Sequence, residues 1–113
     1  MQTTSLTALA QEHLDVARSA GSGRSSVTVY GGREHDLRQT LIALKAGTVL
    51  GEHEAPGEAT LQVITGQVAL HADGAEWEGG AGDHLVIPAQ RHDLAARADS
   101  VVLLTVATRA GSS

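Results

Sequence analysis

Over the first twenty residues the apolar positions recur every three or four places: Leu6, Leu9, Ala10, Leu14 and Ala17, with Gln11, Glu12, His13, Asp15 and Arg18 between them. That spacing predicts one apolar helix face. Thr3, Thr4 or Ser5 can cap the helix start through a side-chain oxygen, and Gly21 and Gly23 end it. With three leucines in the stripe the helix is too weak to form a core and is expected to dock on something larger, His13 lying on its polar, solvated side. From Ser26 onward the period shortens. Apolar or β-branched runs appear at 27–30, 37–44, 60–65, 67–72, 76–78, 83–88, 93–96 and 101–108, and nearly every gap holds turn residues such as Gly31-Gly32, Gly66 and Gly79-Gly80-Ala81-Gly82. Asp73-Gly74 is the clearest two-residue hairpin signal. About eight short strands punctuated this way predict an all-β, antiparallel sandwich or barrel after a short N-terminal helix.

Two of the runs, 37–44 and 101–106, are apolar at both odd and even positions, so both faces of those strands need cover. The helix could supply it, or a second copy of the chain; a homodimer is the expectation. Arg38 and Gln39 interrupt the first run, and one of them must face a polar place: a cavity, an interface or solvent.

Composition narrows the chemistry. The chain has 113 residues, enough for one core, and divides into an N-terminal helical segment at 1–20 and a β domain at 26–109. Only Tyr30 and Trp77 are aromatic, and the net charge is −5 without a basic run, which argues against nucleic acid as a partner. The absence of cysteine removes disulfides, thiolate metal sites and cysteine nucleophiles, so any metal must take His, carboxylate or amide ligands. No run approaches the roughly 18 apolar residues of a membrane span, and the start lacks the pattern of a secretory signal; a cytoplasmic protein without membrane contact is expected. Nothing marks a nucleophile elbow or an oriented triad.

Gly47 is followed by five residues and His53, and Gly66 closes that stretch; Gly82 is followed by five residues and Pro88, with His92 shortly after. The spacing resembles the two motifs of the cupin superfamily, over roughly residues 37 to 108. It implies a single antiparallel jelly-roll barrel, and, carried over by position, His53 and His92 as metal ligands. Ala55 stands where the family has its second His, Ala59 where it has Glu, and Ala96 where the second motif ends in Asn. Two imidazoles are fewer than the three protein ligands that open catalytic sites usually employ.

Neighbouring residues offer replacements. Glu58 precedes the vacant Glu position and follows Pro56-Gly57, where a bulge could turn it inward to complete a two-His, one-carboxylate set around one divalent ion (Fe, Zn, Ni, Cu or Mn). Gln62 shares its strand parity. His35, in the turn 31–36, could fold over a barrel mouth, and Gln39 and Arg91 are further candidates for ligand contact. His71 and His84 alternate with leucines and are expected to face solvent or an interface. The leading functional expectation is a small molecule bound in the barrel with weak or no metal. The alternatives are a metal-dependent oxygenase or isomerase using the two histidines, and a non-catalytic interaction or assembly subunit.

Overall fold

The computed structural model describes residues 1–53 and 57–107. Helix α1 spans Leu6–Ser19; Ser5 is its N-cap, its hydroxyl accepting from the Ala8 N–H at 3.2 Å. The strands are β1 (Arg24–Tyr30), β2 (Leu37–Leu44), β3 (Val49–His53), β4 (Glu58–Thr65), β5 (Gln67–Ala72), β6 (Ala75–Gly80), β7 (His84–Val86), β8 (His92–Ala96) and β9 (Ser100–Ala107). Nine strands among the described residues correct the expected eight. The addition is β3, whose Gly51-Glu52-His53 carries no apolar alternation and which pairs on one side only, with β8.

The strands form two antiparallel sheets, β1-β2-β9-β4-β7 and β3-β8-β5-β6, in keeping with the antiparallel all-β class that the sequence predicts. Hairpins β1–β2 and β5–β6 stay within a sheet; every other connection crosses from one sheet to the other. The β5–β6 turn is Asp73-Gly74 with φ of 50° and 77°, the paired positive values that a tight two-residue hairpin demands. Gly66 turns the chain from the five-stranded sheet into the four-stranded one at φ 94°, and a Cβ there would run into Ser100 and the Asp99 carbonyl.

Strand alternation builds two cores. Even residues of β2 and β9 (Ile42, Leu44, Val102, Leu104, Val106) and odd residues of β4 (Ala59, Leu61, Val63) meet Val68, Leu70, Leu94 and Ala96 between the sheets. Odd residues of β2 and β9 (Leu41, Ala43, Val101, Leu103) face the other way and pack under Ala10, Ala17 and the leucines of α1. The helix therefore supplies the second cover that the doubly apolar strands require, and they no longer call for a second copy of the chain. Arg18 fastens the helix end: its Nε donates to Asp99 at 2.7 Å, while the other Asp99 oxygen accepts from the Ala46 N–H at 2.8 Å. His13, expected in solvent, instead lies against β1, with its Nδ1 2.7 Å from the Ser25 hydroxyl.

Candidate functional site

The site starts from β8. Its alternation places His92, Leu94 and Ala96 inward and Asp93 and Ala95 outward. His92 is 4% exposed. The loop after Pro88 brings the Gln90 carbonyl to 3.0 Å from Nδ1. A carbonyl only accepts, so Nδ1 carries the hydrogen and, in the neutral ring, Nε2 carries the lone pair. The ring lines a small cavity of about 50 Å³ between the sheets, otherwise bounded by aliphatic residues that include Leu50, Leu61, Leu70, Ile87 and Leu104. A bulge in β3 between Leu50 and His53 sets the His53 backbone opposite His92. The two histidines that carry the motif resemblance thus share one register step. The His53 side chain and Ala55 lie outside the described residues.

The remaining candidates are placed elsewhere by parity. β4 runs in regular register from Glu58 opposite Ala107 to Val63 opposite Val102. Ala59, Leu61 and Val63 face the core, so Glu58 and Gln62 take outward positions, and both are exposed. No bulge turns Glu58 inward, because the only register shift of β4 against β9 falls later, between Val63 and Thr65. Gln39 belongs to the odd, helix-side row of β2, where its amide donates to the Thr105 hydroxyl at 3.2 Å. His35 lies near it: the two line an open cleft of about 540 Å³ with Gln2, Thr4, Tyr30 and Leu37, and the His35 ring sits 5.1 Å from that of Tyr30. That cleft is on the outer side of the five-stranded sheet, away from His92. Arg91 is exposed and borders a third depression, of about 320 Å³, with His71, Glu76 and Asp93. The four expected ligand contacts are therefore split among different surfaces.

Sequence reasoning passed over Arg38 in favour of Gln39. Arg38 has the parity of Thr40, Ile42 and Leu44 and pairs with Val106, but at this end of β2 its side chain is exposed. Nothing in the run 37–44 says which parity is inward until the helix is known to lie on the odd side.

On the outer face of the four-stranded sheet, His71 stands directly opposite Asp93 of β8 and Glu76 of β6. Its Nδ1 is 2.7 Å from Asp93 and its Nε2 2.6 Å from Glu76. The hydrogen bond to Asp93, then that to Glu76, hold the imidazolium above the ordinary histidine value. Arg97 continues the network to Glu76 at 3.2 Å and Glu78 at 3.6 Å. His84 is exposed, as expected.

Among the described residues no group of three His, Asp or Glu side chains is placed to hold a metal ion. Ala59 fills the inward position where the cupin motif has Glu, while Glu58 faces out. The described donors alone do not make up the ligand set of the cupin motif. Among the described residues no helix is long and apolar enough to cross a membrane.

No family model matches the sequence, and no curated protein does. Solved structures do. A conserved protein of unknown function from Streptococcus pyogenes, SPY1581, is 27% identical with a TM-score of 0.69, over 78% of this chain and 76% of that one. An RmlC-like cupin from Desulfovibrio desulfuricans is 27% identical with a TM-score of 0.66, over 75% and 82%. A mutant salicylate 1,2-dioxygenase from Pseudoaminobacter salicylatoxidans is 21% identical with a TM-score of 0.71, over 89% of this chain but only 32% of that one.

Proposed function

We propose that this chain, a small cupin, binds a small molecule between its two sheets, and that His92 supplies the polar contact that orients it. The observation that carries the proposal is a cavity with an aliphatic wall and one imidazole whose Nδ1 is held by the Gln90 carbonyl. Pockets that bind small molecules combine a largely apolar lining with a few placed polar groups. The cavity, at about 50 Å³, admits a small group, so the bound molecule is small or only partly engulfed. The His92 imidazole is the one polar side chain in that lining.

A metal-dependent oxygenase or isomerase is the second reading, favoured by the register that sets His53 opposite His92. It requires ligands that the described residues do not provide. Assembly as the working role has less to stand on, since α1 already covers the sheet face that suggested it.

Elemental analysis of untagged protein, alongside the variant His53→Ala, separates the first two. The proposal expects well under one equivalent of metal in both proteins. Near-stoichiometric iron, zinc, nickel, copper or manganese in the parent, lost in the variant, overturns it in favour of a metal centre.

A further inference from the structure

We infer that the cavity beside His92 opens sideways, between Ile42 and Leu50, into a cleft along β1, and that its ligand is a linear molecule with an aliphatic middle and a polar group at each end. The inference rests on the proposal that the space between the sheets binds a small molecule. One strip of the five-stranded sheet is left uncovered by the other sheet. Arg24, Ser26 and Thr28 pair with Leu44, Ile42 and Thr40, so they stand on the side of β1 that faces the opposite sheet. All three are exposed. The four-stranded sheet ends at β3, and its cover stops short of β1.

The uncovered strip borders a cleft of about 380 Å³, lined by Ser22, Arg24, Ser25 and Ser26 together with Ile42 and Leu50. Ile42 and Leu50 also line the cavity of about 50 Å³ that His92 borders. Both are half-buried, so two aliphatic side chains are the partition between the two spaces. Leu50 stands where the register of β3 against β8 shifts, and it can move there without breaking a regular ladder. Another cleft, of about 240 Å³ beside Trp77 and Leu85, shares a single residue with the cavity, Leu70; at 4% exposure that residue closes the other side.

The change of lining dictates the ligand. Around His92 a single imidazole is set among aliphatic side chains, and past Ile42 and Leu50 the lining turns to serines and an arginine. Leu50 pairs with Leu94, two residues along β8 from His92, roughly 7 Å away. A molecule that reaches from the imidazole to the cleft therefore crosses a stretch of aliphatic wall. A polar group held on that stretch would lose its water without gaining a partner, so the middle of the molecule is hydrocarbon. Polar groups at its two ends meet His92 and the cleft. Each methylene that passes the partition leaves water for apolar contact, which raises affinity about three- to fourfold.

The test is a titration followed by amide chemical shifts, with 1-propanol, 1-hexanol and 1,6-hexanediol as probes. All three are expected to give saturable shifts in β2, β3 and β8, with 1-hexanol bound about thirtyfold more tightly than 1-propanol because its three further methylenes pass the partition. The diol is expected to bind within about threefold of 1-hexanol, since its second hydroxyl ends in a polar place. Ser26→Phe sets a ring opposite Ile42, over the cleft, and is expected to weaken 1-hexanol by about tenfold or more while leaving 1-propanol unchanged. Retained 1-propanol binding shows that the fold and the cavity survive the substitution. Val86→Phe, at an exposed position of β7, is expected to alter neither affinity. Equal affinities for 1-propanol and 1-hexanol, untouched by Ser26→Phe, overturn the passage while leaving the pocket intact. A diol bound more than about tenfold more weakly than 1-hexanol overturns the polar far end of the ligand. Absence of saturable shifts with every probe overturns the pocket and the passage together.

Discussion

The two sheets of this protein solve the same problem in opposite ways. The five-stranded sheet buries both faces along β2 and β9: Leu41, Ala43 and Val101 are fully buried on the helix side, and Leu44 and Val102 are equally buried against the opposite sheet. The four-stranded sheet buries one face and finishes the other with His71, Glu76, Glu78, Asp93 and Arg97, paired across strands. The first is held by apolar area removed from water, which neither pH nor salt changes much. The second is laced by exposed ion pairs, which are individually weak and screened. Structural robustness is therefore concentrated on the helix side, and responsiveness to solution conditions on the β5-β6-β8 side.

The largest effect is expected from emptying the helix-side core. Leu41→Ala removes a fully buried side chain and is expected to cost about 2–5 kcal/mol in urea unfolding. A change below about 0.5 kcal/mol, the range of ordinary surface substitutions, would mean that the helix does not seal that face. Next comes the junction between the sheets. Gly66→Ala puts a Cβ at positive φ against Ser100 and the Asp99 carbonyl, and is expected to cost about 1–3 kcal/mol. A neutral result in thermal unfolding would show that the crossing can relax.

The smallest effect is on the charged face, where pH is the sharper probe. The folded His71 value is raised, so the stabilisation from its pairs is fully present below the unfolded value of about 6.5 and is lost as pH rises through the folded value. His71→Gln is expected to flatten that part of the pH dependence while changing stability little above it. If the variant keeps the parent's slope between pH 6 and 8, the clasp to Asp93 and Glu76 does not form in solution.

How much of this was legible depended on whether the signal was local. The helix at the start, its serine cap and the Asp73-Gly74 hairpin follow from spacing and turn chemistry, and each stands where expected. Strand β3 did not announce itself, because it is short, single-sided and carries Gly51. The site divided in the same way. His53 and His92 were marked by their distances from Gly47 and Gly82, and the fold sets their backbones side by side. Glu58 is marked by its place beside the vacant Glu position, Gln62 by parity with Glu58 and Gln39 by polarity within an apolar run, and none of these signals says which face of its strand is inside.

The chain by itself determined the class of structure, since alternation, turns and an aliphatic composition admit little besides packed antiparallel sheets with a docked helix. It also places alanine at two positions where the cupin motif has ligands, Ala55 and Ala59, whose side chains offer no donor atom. Only the tertiary structure decided which parity of β2 faces the cavity: Ile42 and Leu44 turn towards it, and Leu41 and Ala43, on the parity of Gln39, turn towards the helix. The reason is that a strand apolar on both faces is symmetric in its own sequence: the two sides become different only when α1 occupies one of them.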